Sequence, residues 1–456
     1  MKHTKTQRGQ ALILIVLTIV GLVAMVALAV DGGSAFADRR HAQNAADAAA
    51  LAAALAKIND QDWQTAAMGR AISNGYYNDG VHSTVTVLNP PGAGCNGVLS
   101  PYAGNDEYIQ VIIRSTVDTF FGPVIGVNQM HNCVEAVARA REGAYVPLYN
   151  GAGVVALKPN GNSAFGNVGN INLTVRNSGV FVNSNGSCAM NVNGNVNMTV
   201  DKQYGIVGGF CRTGNVTVNG PVVTGAAQVP YPPSINVPPP TITCSGDGYK
   251  SGNTYYPGHY NSISLSANGS YTFAPGNYCV DNGISISGNI NLTINNVNMQ
   301  LNGGSFAIAG NSSVTCSNFL FYSTGNAGGI HFNGNSGNNC TGVTFYLETG
   351  NMVWNGNVAN TFTAQTTGPY ANLLVYMPYG NTSGLTINGN SGNNIVGTIL
   401  AVQSPITISG NSGTTGFRSQ IVGYTIQFSG NANTTIDYRD SDNFDIPSPP
   451  TIELVR

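Results

Sequence analysis

The sequence predicts a mainly β protein: a right-handed parallel β-helix (solenoid), preceded by a single N-terminal transmembrane helix and a small α+β domain. Three observations carry this prediction. Ala11 to Val30 is a charge-free apolar run; an alanine-rich stretch and three short alternating segments follow it; and from about Val154 onward Gly-Asn phrases recur at a steady interval.

Composition sets the frame. The chain has 456 residues, only 8% of them charged, with 58 glycines, 21 tyrosines and 42% hydrophobic residues. A disordered chain avoids aromatic and β-branched residues, so this composition implies a packed, turn-rich structure. The net charge of −2 offers no basic footprint for phosphate, which excludes nucleic acid as a partner.

The first ten residues, MKHTKTQRGQ, carry Lys2, Lys5 and Arg8 and no acid, and read as a cytoplasmic basic segment (1–10). Residues 11–30, ALILIVLTIVGLVAMVALAV, match the roughly 30 Å hydrocarbon layer at about 1.5 Å per helical residue, so Ala11 and Val30 bound the expected membrane anchor. The basic flank places the N-terminus in the cytoplasm, with the bulk extracytoplasmic, in the periplasm or at the cell surface. A cleaved signal peptide is the alternative, since Ala27 and Ala29 form an A-x-A pattern. The apolar run exceeds the about 7–15 residues usual for such a peptide, which favours retention.

Residues 31–145 read as an extracytoplasmic helix plus a small domain. Ser34 to Tyr77 has high helix propensity and no proline, and its alanines leave room for close packing. Alternating segments follow at Ser83–Asn89, Tyr108–Phe121 and Cys133–Arg141, with Gly122–Val127 as a turn or short helix between the last two. A long helix on a small antiparallel sheet is a pilin-like arrangement.

From Val154 the phrases VGNINLTV, NGNVNMTV, TGNVTVNG, SGNINLTI and SGNANTT recur, with glycines at 169, 194, 214, 288 and 430 among others. Most intervals are about 20–25 residues, the signature of a solenoid. Two or three strands of about 4–6 residues joined by tight turns use that length per coil. Gly and Asn tolerate positive φ at a corner, Ile, Leu, Met and Val point inward, and Asn stacked on Asn at about 4.8 Å forms an amide ladder. Crossover chirality favours a right-handed coil. The expected layout is a first solenoid segment at 150–225, a Pro-rich linker at 226–245 serving as connector or edge cover, a second solenoid segment at 246–436, and an acidic, Pro-containing tail at 437–456.

All eight cysteines lie beyond Gly94, at Cys95, Cys133, Cys188, Cys211, Cys244, Cys279, Cys316 and Cys340. An even number without a C-x-x-C pair in an exported chain suggests disulfides rather than metal ligands. Nearest-neighbour pairing is the expectation, each bridge closing one or two structural units.

Solenoids of this kind host polysaccharide-active enzymes, which depend on a constellation of catalytic groups. Between Gly248 and Gly430 the acids are confined to Asp281 and Glu348, on different coils. Paired-carboxylate hydrolysis needs the two within about 5–10 Å. His259 and His331 read as isolated surface or packing residues, and only Lys250 and Arg418 supply nearby positive charge. No G-x-S-x-G, P-loop or H-E-x-x-H occurs. The expectation is a non-enzymatic protein with no cofactor, metal or catalytic residue. Tyr-rich stretches, GYKSGNTYYPGHY and YANLLVYMPYG, suit either sugar stacking or loop packing.

The segment from Arg8 to Ala54, with Asp31-Gly32 after the span and RRHAQNAADAAALAAA, and the later FFGPVIGV leading to CVEAVARAR, resembles the TadG-like N-terminal segment of the Tad (Flp) pilus assembly system. The phrases YTFAPGNYCVDNGISISGN, LTINGNSGNNIVGTILAVQSPITISGN and SQIVGYTIQFSGN are similar to Gly/Asn-rich C-terminal regions attached to such proteins. The chain lacks the D-x-S-x-S motif of relatives with a von Willebrand type A domain. Leu14 stands where a Flp-type prepilin cut after Gly9 would carry glutamate. The resemblance implies a membrane-anchored component of pilus assembly, with the lipid bilayer and other pilus-assembly proteins or pseudopilins as partners and the β-helix as spacer or interaction surface. The alternative is a cell-surface adhesin or glycan-binding β-helix, with surface glycans as partners; a polysaccharide-active enzyme is third.

Overall fold

A computed structural model describes residues 8–143, 145–334, 337–356, 360–389 and 393–455. The chain divides into two compact units, one formed by 1–145 with 447–456, the other by 146–446.

The first unit is built on one helix, α1 (Arg8–Ile58), followed by α2 (Trp63–Ser73). Strands β1 (Ser83–Leu88), β2 (Tyr108–Asp118) and β3 (Gln129–Arg141) form an antiparallel sheet in that order. Ala42, Ala45, Ala46, Ala49, Ala50 and Ala53 recur every three or four residues, so they share one helix face, and all are fully buried. They lie against Ile109, Val111 and Ile113 of β2 and Val134, Ala136 and Ala138 of β3, alternate residues on one face of the sheet. Methyl-sized side chains let helix and sheet approach closely. Asp62 caps α2, its carboxylate accepting the amides of Gln64 and Thr65 at 3.0 and 3.2 Å.

The C-terminal residues depart from the expected tail. Thr451–Leu454 is a fourth strand, antiparallel to β3, pairing Arg141 with Thr451 and Ala138 with Leu454. Without it β3 would present an unpaired edge. Arg139 links both sides, bonding Glu107 at 2.8 Å and Glu453 at 3.4 Å.

The second unit is a β-solenoid of about 12 turns, with parallel pairing between successive coils. Each coil contributes strands to three walls. In one coil these are Ile290–Ile294, Val297–Leu301 and Ser305–Ile308, each pairing in register with the next coil at Leu292↔Val314, Met299↔Phe321 and Phe306↔Ile330. Their alternate residues are buried to within 1% and form the continuous interior. The corner glycines carry positive φ, +118° at Gly194 and +85° at Gly430. That backbone is open to glycine and strained for other residues.

The coils do not follow chain order. The coil containing Ile421 to Asp437 stacks on its predecessor through Ile399↔Ile421 and Ile408↔Phe428. On its other side it stacks on the first repeat-bearing coil, through Ile421↔Val154, Gly430↔Gly169 and Ile436↔Val175. The segments expected at 150–225 and 246–436 therefore form one stack. The junction of the Asp437 and Val154 coils lies about a third of the way along it, and its ends are near Thr224 and Lys250.

The Pro-rich linker spans the distance this order creates. Val229 is held by Asn183, whose side chain bonds its amide and carbonyl at 2.8 and 3.1 Å, and Cys244 is bonded to Cys279. Asn183 and Cys279 lie eight coils apart on the second wall, about 38 Å. The residues from Val229 to Cys244 cover about 46 Å as polyproline helix, so the linker runs nearly straight along the wall. Underneath are outward-facing apolar and tyrosine residues, Tyr322, Tyr346, Tyr376, Leu400 and Val422, packed with Val237 and Ile242. Tyr346 and Tyr370 donate their hydroxyls to the carbonyls of Val237 and Pro238 at 3.2 and 2.8 Å. The second wall is thus buried on both faces, and 229–244 acts as a strap.

Burial of this layer holds the tyrosine hydroxyls neutral. Desolvation, aided by Tyr424 and Tyr379, pushes Tyr231 up to about 12 from an ordinary 10.0. Between those values the unfolded chain has released a proton that the folded state keeps, so stability falls as pH rises. The urea midpoint should therefore drop from pH 10 towards 12, and more shallowly in Tyr231→Phe.

The structure pairs Cys95 with Cys133, Cys188 with Cys211, Cys244 with Cys279 and Cys316 with Cys340. Cys316 and Cys340 are register neighbours on adjacent coils, and Cys188–Cys211 also joins adjacent coils.

Candidate functional surfaces

Two surfaces have an unusual chemistry, the apolar half of α1 and the asparagine-covered wall of the solenoid. From Leu12 to Val30 the large side chains of α1 stand exposed, Leu17 at 63% and Leu28 at 76%. This stretch is long and apolar enough to cross a membrane, and the helix continues without a break into the alanine face that carries the sheet. Val30 ends this stretch and Ala11 stands in α1 one residue before it.

Where the apolar stretch ends, two aspartates tie α1 to the sheet. The Asp31 carboxylate accepts the amides of Phe120 and Gly122 at 2.7 and 2.8 Å. Asp38 accepts Asn132 Nδ2 at 2.7 Å and the Tyr76 hydroxyl at 3.1 Å, and the Ser115 hydroxyl also reaches it. Both carboxylates are engaged in positioning this helix against the β2–β3 hairpin.

On the solenoid, the outward residues of the first wall form amide ladders. Asn170 donates to Asn431 at 2.9 Å, Asn215 to Asn195 at 2.9 Å and Asn197 to Asn172 at 3.2 Å. These side chains line a shallow groove of about 600 Å³. A second ladder is buried, Asn338 to Asn360 to Asn393, each oxygen also accepting a backbone amide from the neighbouring coil. An amide has two donors and an acceptor with two lone pairs, so the exposed ladder keeps hydrogen-bonding capacity toward solvent after its internal bonds are made. Asn431→Val should remove one rung at the chain junction and cost about 1 kcal/mol, read as a small fall in the urea midpoint.

The tyrosine-rich stretches separate. Tyr249 and Tyr256 stack at 4.6 Å, Lys250 Nζ lies 5.2 Å over both Tyr255 and Tyr271, and the Tyr278 hydroxyl bonds Tyr255, so GYKSGNTYYPGHY packs as the end cap. Tyr370 and Tyr376 lie in the layer under the strap, whereas Tyr379 is 56% exposed.

The titratable groups are also placed. His259 is not isolated: its Nε2 lies 3.1 Å from Asp281 Oδ2, because the two occupy adjoining coils whose register sequence spacing did not reveal. His331 bonds Asn351 at 2.7 Å, and Glu348 accepts the hydroxyls of Tyr322 and Thr324 at 2.5 and 2.7 Å. Asp281 and Glu348 end second-wall strands three coils apart, about 14 Å. Arg418 pairs with Asp442 at 3.2 Å.

Residues 9–56 match the family model described as "Putative Flp pilus-assembly TadE/G-like", which covers the apolar stretch and the alanine face but not the solenoid. No curated protein and no solved structure matches the chain.

Proposed function

We propose that this chain is a non-enzymatic, single-pass membrane component of a Tad/Flp-type pilus assembly system, its N-terminus cytoplasmic and its solenoid extracytoplasmic. The observation that carries the reading is the coincidence of the TadE/G-like match at 9–56 with one unbroken helix, exposed and apolar before Asp31 and buried against a sheet after it. The apolar half anchors and the second half presents the sheet to partners in the assembly. The solenoid serves as spacer or interaction surface. The two acids of its second wall are spent on neighbouring side chains, Asp281 on His259 and Glu348 on Tyr322 and Thr324, which supports a mechanical role.

Deleting the gene should abolish surface pili, and the full chain should restore them. Normal piliation in the deletion strain would overturn the reading. Removal of residues 1–30 should move the protein from the carbonate-resistant membrane pellet to the supernatant. The exposed asparagine groove favours a second reading, a glycan-binding wall, since a ladder of amides suits hydroxyl-rich ligands. Binding of the full chain to a glycan array, lost when Asn170 and Asn195 become alanine, would support it.

A further inference from the structure

The turn joining β2 to β3, TFFGPVIGVN from Thr119 to Asn128, is the wrong chemistry for a loop in water. Loop tips are ordinarily built of small polar residues. Here no residue is charged, and Phe120, Val124 and Ile125 are exposed by 86, 86 and 81%. A groove of about 530 Å³ separates the turn from α1, its helix wall formed by Val20, Val23, Ala24, Ala27 and Leu28. The turn therefore lies beside the apolar stretch, not beyond its end. Val20 to Val30 is about 15 Å of helix, half of a hydrocarbon layer.

Non-helical backbone survives in hydrocarbon only if its polar groups are satisfied within the protein. Most of the turn's amides meet that demand. Asp31 accepts the amides of Phe120, Phe121 and Gly122 at 2.7, 3.1 and 2.8 Å. Residue 123 is proline and has no amide to satisfy. Val124 donates to Phe121 at 3.1 Å, Gly126 to Pro123 at 3.2 Å and Val127 to Gly122 at 2.9 Å. Gly122 is required by the closeness of this loop, since a Cβ there would fall 2.2 Å from the Val127 carbonyl oxygen. An internally bonded turn whose outer surface is phenylalanine, valine and isoleucine is fitted to acyl chains.

We propose that the β2–β3 turn is a second membrane-contacting element, seated among lipid acyl chains in the leaflet adjoining Asp31. The inference rests on the reading of Ala11–Val30 as a membrane span. A single helix can rotate about its axis and tilt; a second contact beside it fixes which way the sheet of this unit faces.

The test uses the full chain in phosphatidylcholine vesicles. All eight native cysteines are paired, so single substitutions Ile125→Cys, Val26→Cys and Ala103→Cys can each carry an environment-sensitive fluorophore. Ala103 is exposed near Tyr108, at the end of β2 remote from the turn. With nitroxide-labelled lipid in the bilayer, quenching at Ile125 should match that at Val26 and exceed that at Ala103 about threefold. Quenching at Val26 with Ile125 behaving like Ala103 would overturn the turn's insertion and leave the anchor intact. Absence of quenching at Val26, with release of the chain by carbonate, would overturn both. A turn shielded from lipid and cross-linked through Ile125 to another protein would overturn the lipid assignment.

Discussion

Phe345→Ala is expected to destabilise the solenoid by about 4 kcal/mol, the range for deleting a fully buried aromatic ring. Phe345 has no exposed surface and sits among five other rings, with centroids of Phe332 and Phe362 at 6.0 and 5.9 Å and of Phe319, Phe321 and Trp354 between 6.4 and 6.5 Å. These neighbours come from adjoining coils locked in register, so they cannot collapse into the space a missing ring leaves. Phe345→Leu, which keeps most of the volume, should cost about 1.5 kcal/mol. Urea unfolding of the full chain in detergent, followed by tryptophan emission, reads the difference, because Trp354 is buried against this cluster. Equal midpoints for the two variants would show that the cluster is loosely packed.

The second large effect is expected at a corner. Gly194 has φ of +118°, and a Cβ built there lies 2.4 Å from the carbonyl oxygen of Gly169 on the next coil. Gly194→Ala therefore meets an unfavourable backbone conformation and a backbone clash together, and about 3 kcal/mol of destabilisation follows. Gly225 has φ of +75° with nothing within 4 Å of its Cβ, so Gly225→Ala carries only the conformational part, about 1 kcal/mol. A larger loss at position 225 than at 194 would mean that coil-to-coil closeness does not set the glycine requirement.

Some of this architecture was legible because it is written locally. The Gly-Asn phrases mark corners and their flanking alternation marks walls, and both are properties of a few consecutive residues. The charge-free run from Ala11 to Val30 is equally local. The joining of Asp437 and Val154 coils was not legible, since Gly430 is no more like Gly169 than like any other corner. Nor was the strap visible as such: Tyr322, Tyr346 and Tyr376 face outward on consecutive coils, and only the folded register shows that they form one layer needing cover. The final strand was hidden by its brevity, with Thr451–Leu454 offering four residues after a proline pair. Among the surfaces, the His259–Asp281 contact depends on coil register, whereas the apolar turn at Phe120 to Val127 was readable as sequence and gains its meaning from its place beside α1.

The junction of first and last coils bears on how the chain must be made. Asn170 and Asn431, bonded across it, are separated by 261 residues. During synthesis the coils from Val154 to Thr224 emerge long before the coil that will cover them, and until then they present an open strand edge to the surroundings. Contacts of such separation form slowly. The early coils are therefore open to mispairing with other copies for as long as it takes Ile421 to Asp437 to arrive and cover them.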